Sequence, residues 1–105
     1  MPPSRSRPEI RNAAPARPDA PVTIGALLLA IREGEGLSQA YMSDRLNISR
    51  ANLCDIEKGR KSVAPARAAK FAKVLGRSEQ QFVQLALQEI VDSAGLRFLV
   101  DLRPR

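Results

Sequence analysis

An all-α bundle of five helices is what this sequence predicts, and three observations predict it. Between residues 22 and 95, apolar residues recur at spacings of three and four. Runs of that kind open on Thr or Ser, whose oxygen accepts an amide hydrogen bond from the first turn of a helix. They close on Gly or Asn, the residues that best tolerate a left-handed backbone. At 105 residues the chain predicts one small domain. Its 17 Lys and Arg against 11 Asp and Glu give a net charge of +6, which favours an anionic partner.

The elements follow in order. Residues 1–21 hold six of the eight prolines and few apolar residues beyond alanine. Such a stretch cannot bury enough surface to offset its ordering entropy, so it reads as a disordered arm. Its Arg5, Arg7, Arg11 and Arg17 can meet phosphates or a minor groove, or can simply keep the chain soluble. Thr23 caps a first helix, in which Ile24, Leu27, Leu28 and Ile31 form one face; Gly34 and Gly36 end it. Ser38 caps a second, SQAYMSDRL, with Met42 and Leu46 inward. Asn47 takes the left-handed position between it and a third, SRANLCDIEKG, which Ser49 caps and Gly59 stops. A fourth helix covers roughly 63–75, with Ser62 as its nearest cap, Pro65 in its first turn, an apolar side of Phe71, Val74, Leu75 and alanines, and Gly76 as its stop. Ser78 opens a fifth, SEQQFVQLALQEIVDSA.

That last helix has an unusually wide apolar arc. Phe82, Ala86 and Ile90 form one stripe, and Val83, Leu87 and Val91 another. A small core has little room for both, so Val83, Leu87, Ile90 and Val91 are candidates for contact with a second subunit. In residues 96–105, Phe98 and Val100 alternate with Leu99 and Asp101. Residues 97–102 therefore read as a short strand or a helix extension, with Phe98 and Val100 joining the dimer contact. The domain proper is expected to span residues 22–95.

Composition excludes several kinds of chemistry. The chain has no histidine and one cysteine, Cys54. An intramolecular disulfide, His-based metal sites, His general bases and Ser-His or Cys-His pairs are ruled out. No carboxylate cluster or nucleophile-and-base spacing occurs, so no catalytic residue, metal or cofactor is expected. No apolar run approaches the roughly 18 residues that span a bilayer. The opening MPPSRSRPEIRN lacks the apolar centre of a secretion signal, so the cytoplasm is the expected location and no membrane partner is expected.

Two short helices joined by a tight turn, 38–46 and 49–58, carry the functional signal. Leu46, Ile48 and Leu53 lock the second against the first. Its outward face is then Arg50, Ala51, Asn52, Cys54, Asp55 and Lys58. An α-helix fits the DNA major groove with its first turn on base edges. Arg50 can donate a bidentate pair to guanine, Asn52 can read adenine, Ala51 can pack on a thymine methyl, and Asp55 can accept from cytosine. Cys54, without a resolving partner, reads as a filler. Tyr41 on the preceding helix is a candidate phosphate donor.

Residues 24–76 resemble the phage-repressor and Xre-type helix-turn-helix family. The marks are an arginine in helix 1, "GLSQ" opening helix 2, "ISR" opening helix 3, "DIEKGRK" closing it and "LG" closing helix 4. The resemblance implies a repressor-like bundle. It implies that Arg32 and Glu57 form a partly buried ion pair and that Gln39 touches a phosphate while buttressing the first recognition residue. It also implies that Arg50, Ala51 and Asp55 face bases and that Lys58, Arg60 and Lys61 meet phosphates. Departures are Ser43 for a usual alanine, Asn47 for the turn glycine, Val63 for a loop proline and Arg77 for an apolar residue.

Charge placement agrees with this. Residues 50–77 hold eight basic and two acidic residues, whereas 22–49 sum to −1 and 78–95 to −3. The expected function is a sequence-specific regulator that binds double-stranded DNA, as a homodimer on a palindromic operator and most simply as a repressor. An antitoxin with a toxin protein as partner and a protein-interaction module on the same fold are the alternatives.

Overall fold

The computed structural model describes residues 22–105, and the expected arm, residues 1–21, lies outside them. Five helices follow one another: α1 (Ile24–Gly34), α2 (Gln39–Leu46), α3 (Arg50–Glu57), α4 (Pro65–Leu75) and α5 (Glu79–Ser93). No strand occurs among the described residues. Four of the five helices start where a capping side chain stands. The hydroxyls of Thr23, Ser38 and Ser49 accept from the amides of Ala26, Tyr41 and Asn52, each at 3.0 Å. Ser78 accepts from Gln81 at 3.1 Å. Each such cap stabilises its helix by about 1 kcal/mol.

The fourth helix departs from expectation. Its N-cap is Ala64, which offers no side-chain oxygen, and Ser62 does not cap it. Pro65 at the first position makes this tolerable, because it has no amide to satisfy and its φ is already helical. The helix therefore begins two residues later than expected, and Val63 drops into the core instead. Val74 faces solvent rather than the core. Ala68, Phe71, Ala72 and Leu75 already fill the inward stripe at helical spacing, and Val74 lies off it.

One core joins all five helices. Ile24, Leu28 and Ile31 enter it from α1, Met42 and Leu46 from α2, Leu53 and Ile56 from α3, Ala68, Phe71 and Ala72 from α4, and Phe82 and Ala86 from α5. Leu27, Ile48, Leu75 and Leu85 pack around its edge. The turn between α2 and α3 needs a single left-handed residue, and Asn47 supplies it at φ 58° and ψ 45°. The amide of Ile48 then donates to Ser43 O at 3.0 Å, which satisfies a terminal carbonyl of α2 and lays Ile48 against the core. Ser43 itself is buried, and its hydroxyl donates back to Ala40 O at 3.0 Å.

Two features hold α1 in place that sequence reading did not single out. Gly25 is buried where α1 crosses α3. A Cβ there would collide with the carbonyl oxygen of Ile56 and lie 2.9 Å from its carbonyl carbon. Only glycine lets the two backbones approach so closely. From the other side, the amide of Ile24 donates to Glu89 Oε2 of α5 at 2.7 Å. A carboxylate at a helix N-terminus meets both an unsatisfied amide and the positive end of the helix dipole.

The C-terminal segment is neither strand nor helix. Gln88 Nε2 donates to Phe98 O at 2.8 Å, and Gln88 Oε1 accepts from the Val100 amide at 2.8 Å. Gln80 Nε2 donates to Leu102 O at 2.7 Å. The tail thus runs back along α5, antiparallel to it. Among the described residues, positions 97–105 have no backbone partner, and glutamine side chains meet their peptide groups instead. Val83, Leu87, Val91 and Val100 are half-buried, whereas Ile90 is 55 % exposed, Phe98 68 % and Leu99 93 %. Ile90 follows Phe82 and Ala86 in the stripe but lies past the end of the core.

Gly25→Ala is expected to lower unfolding free energy by about 1–3 kcal/mol, because the methyl meets backbone that cannot step aside. A thermal melt followed by circular dichroism checks this. An unchanged midpoint would mean that α1 and α3 can separate without loss.

Candidate nucleic-acid interface

The interface is built on one buried carboxylate. Glu57, the last residue of α3, has a side chain only 3 % exposed. It accepts from Arg32 Nε at 2.8 Å and from Arg32 Nη2 at 3.1 Å, a bidentate pair. Gln39 Nε2 donates to its Oε1 at 2.9 Å. The third arm of Arg32, Nη1, donates to Leu37 O at 3.0 Å. Residues from α1, α2, α3 and the loop after α1 therefore meet at a single point. The hydrogen bonds to Glu57 hold the Arg32 pKa above its ordinary value, against the opposing effect of burial. A raised arginine pKa contributes stability at every working pH and loses it only above the ordinary arginine range.

This anchor presents the first turn of α3 outward. Arg50 and Ala51 are exposed, and Arg50 has no side-chain partner among the described residues. Ser38, Gln39 and Ala40 at the start of α2 line a shallow groove with Arg50, and Arg32 forms its inner wall. The amide arm of Gln39 is committed to Glu57, so the orientation of its carboxamide beside Arg50 is set.

The other residues singled out in the sequence divide into engaged and free. Asn52 is half-buried, and its Oδ1 accepts from Lys61 Nζ at 3.2 Å. Asp55 is half-buried and pairs with Arg60 at 3.5 Å. Its carbonyl oxygen accepts from the amides of Arg60 at 2.8 Å and Lys61 at 3.3 Å. Gly59, at φ 78°, reverses the chain so that the loop lies back on α3. Lys58 is exposed at the end of that helix. Tyr41 is exposed on α2, and its hydroxyl accepts from Arg45 Nη1 at 3.4 Å with the guanidinium 5.9 Å from the ring centre. Arg45 in turn donates to Val74 O at 2.8 Å, so Tyr41 is linked to the end of α4. Cys54 is a free, half-buried thiol on α3.

Arg45 went unnoticed in the sequence because nothing local marks it; its partners are a residue on the same helix and a carbonyl 29 positions away. The described residues contain no cluster of metal-ligating side chains, and none of their helices is long and apolar enough to cross a membrane.

A family profile described as helix-turn-helix matches residues 28–82. No curated protein and no solved structure matches the chain.

Glu57→Ala removes the acceptor of three hydrogen bonds and leaves the Arg32 guanidinium, 15 % exposed, without its counter-charge. The expected cost is about 3–5 kcal/mol. Gln39→Ala removes one donor and is expected to cost less, about 1.5–3 kcal/mol. Urea unfolding of both variants checks the order. A Gln39 variant as unstable as the Glu57 variant would mean that the ion pair is not the anchor.

Proposed function

Since the chain belongs to the Xre-type helix-turn-helix family of DNA-binding regulators, we propose that it is a sequence-specific regulator whose α3 reads a duplex through the major groove. The observation that carries this is the first turn of α3. Arg50 and Ala51 stand exposed on a helix whose other end is tied to α1 and α2 through Glu57. Tying a helix at its far end favours one register of its exposed turn on base edges. In this reading Arg50 pairs with guanine, and Ala51, Asn52 and Asp55 contact neighbouring bases. Gln39, Tyr41, Lys58, Arg60 and Lys61 lie at or near phosphates. The net charge of +6 over residues 50–77 supplies the attraction to the backbone.

A homodimer completes the reading. The apolar surface of Ile90, Phe98 and Leu99 supports it, since a monomer gains nothing by leaving such residues exposed beside half-buried Val83, Leu87, Val91 and Val100. A twofold dimer reads a palindromic operator with half-sites about 34 Å apart. Repression follows when the occupied operator overlaps a promoter. The same exposed tail favours a second reading, an antitoxin whose tail seats a toxin protein while α3 holds the operon's own operator. Cytoplasmic location belongs to both readings.

Fluorescence anisotropy across a salt series tests the proposal, with a duplex from the gene's own upstream region against a shuffled duplex. The expected preference is about 10³-fold or more, with two chains per site. Weak and equal binding to both duplexes would sink it. Arg50→Ala should cost about 1–3 kcal/mol of specific affinity and spare binding to random sequence. Lys58→Ala should weaken binding to all duplexes alike and reduce the salt slope by about 0.9. Identical effects from the two variants would contradict the division between base reading and phosphate contact.

A further inference from the structure

We propose that Lys61 is a positioning residue for base recognition: it holds the Asn52 carboxamide so that the amide NH2 is the group Asn52 offers to DNA. This rests on the reading of α3 as the base-contacting helix. Lys61 Nζ lies 3.2 Å from an arm of the Asn52 carboxamide. An ammonium carries only donors, so the arm that meets it must be the oxygen. The oxygen is turned toward the loop, and the NH2 occupies the other arm of the planar group.

Backbone geometry brings Lys61 there. Gly59 takes φ 78°, a conformation that costs glycine little. The reversed chain then places the amides of Arg60 and Lys61 on the carbonyl oxygen of Asp55, at 2.8 and 3.3 Å. Asp55 stands one helical turn beyond Asn52, on the same face. The Lys61 side chain thus starts close to α3 and reaches Asn52 along its surface. Arg60 folds in the same direction, onto the Asp55 carboxylate.

The consequence is a preference that sequence alone does not specify. A free asparagine pairs with adenine by donating to N7 and accepting from N6. The oxygen keeps a second lone pair, but with that arm turned to the loop the NH2 is the arm left to meet DNA, and it favours base edges rich in acceptors: guanine N7 and O6, adenine N7 or thymine O4. Lys61 sets that choice without touching a base.

The test uses the full chain and duplexes selected from a randomised pool with the wild-type protein. Relative affinities are then measured for every single-base variant of the selected site. Four proteins are compared: wild type, Lys61→Met, Asn52→Ala and the double variant. Ratios between duplexes cancel any uniform loss of phosphate contact. Lys61→Met should reduce discrimination by about fivefold at the same base pair where Asn52→Ala reduces it. In the Asn52→Ala background it should change no ratio. A uniform loss of affinity with every ratio intact would overturn the proposal. So would an Asn52→Ala protein whose base preferences match wild type. A wild-type protein that selects no common sequence would overturn the reading of α3 as well, which separates the two failures.

Discussion

The carboxylate of Glu57 is the constraint on which the candidate interface depends. It is buried beside the Arg32 guanidinium, and burial of an unpaired charge is too costly to persist. It must therefore be matched, and Arg32 and Gln39 match it with three hydrogen bonds. That requirement dictates where α1 and the start of α2 lie relative to the end of α3. Replacing such a network with apolar residues often stabilises a fold, so its value here is geometric. It holds α3 at its C-terminal end and leaves its N-terminal turn exposed.

The packing beneath has the same purpose of fixing one arrangement. Gly25 lets α1 approach α3 until their backbones touch, which brings Arg32, two turns further along α1, within reach of Glu57. Glu89 draws the start of α1 toward α5. The position of α1 is thus specified at both ends, by two carboxylates on different helices. Asn47 makes the turn between α2 and α3 as tight as a glycine would, and its left-handed conformation carries only a modest penalty.

Along α5 the balance is different. The tail after α5 is tied by side-chain hydrogen bonds to Gln80 and Gln88 rather than by a backbone ladder. Such bonds, two of the three exposed, each contribute little net stability. Phe98 and Leu99 remain turned to solvent. The Glu57 cluster is fixed by buried polar contacts, while the α5 side keeps apolar surface exposed.

Much of this was legible in the sequence, and the reason is that it is local. Helix starts at Thr23, Ser38, Ser49 and Ser78, the turn at Asn47 and the inward residues of α2 and α3 all follow from patterns within a few positions. The Arg32–Glu57 pair was legible only through the family resemblance, since the two are 25 positions apart. The start of α4 lies two residues beyond the expected one because Ser62 is a good capping residue and competes with Pro65, whose place at N1 is the signal that sets the start. What only the tertiary structure decided is long-range in every case. Gly25 looks like an ordinary helix weak point until the carbonyl of Ile56 lies against it. Glu89 looks like a solvated charge until α1 begins beside it. The tail alternates like a strand, yet it has α5 and not another strand as its neighbour. Lys61 and Asn52 read as two separate DNA contacts, and only the reversal at Gly59 joins them. Local patterns specify elements because capping and periodicity act within one or two turns. Contacts between elements depend on how the whole core closes, and no window of sequence contains that information.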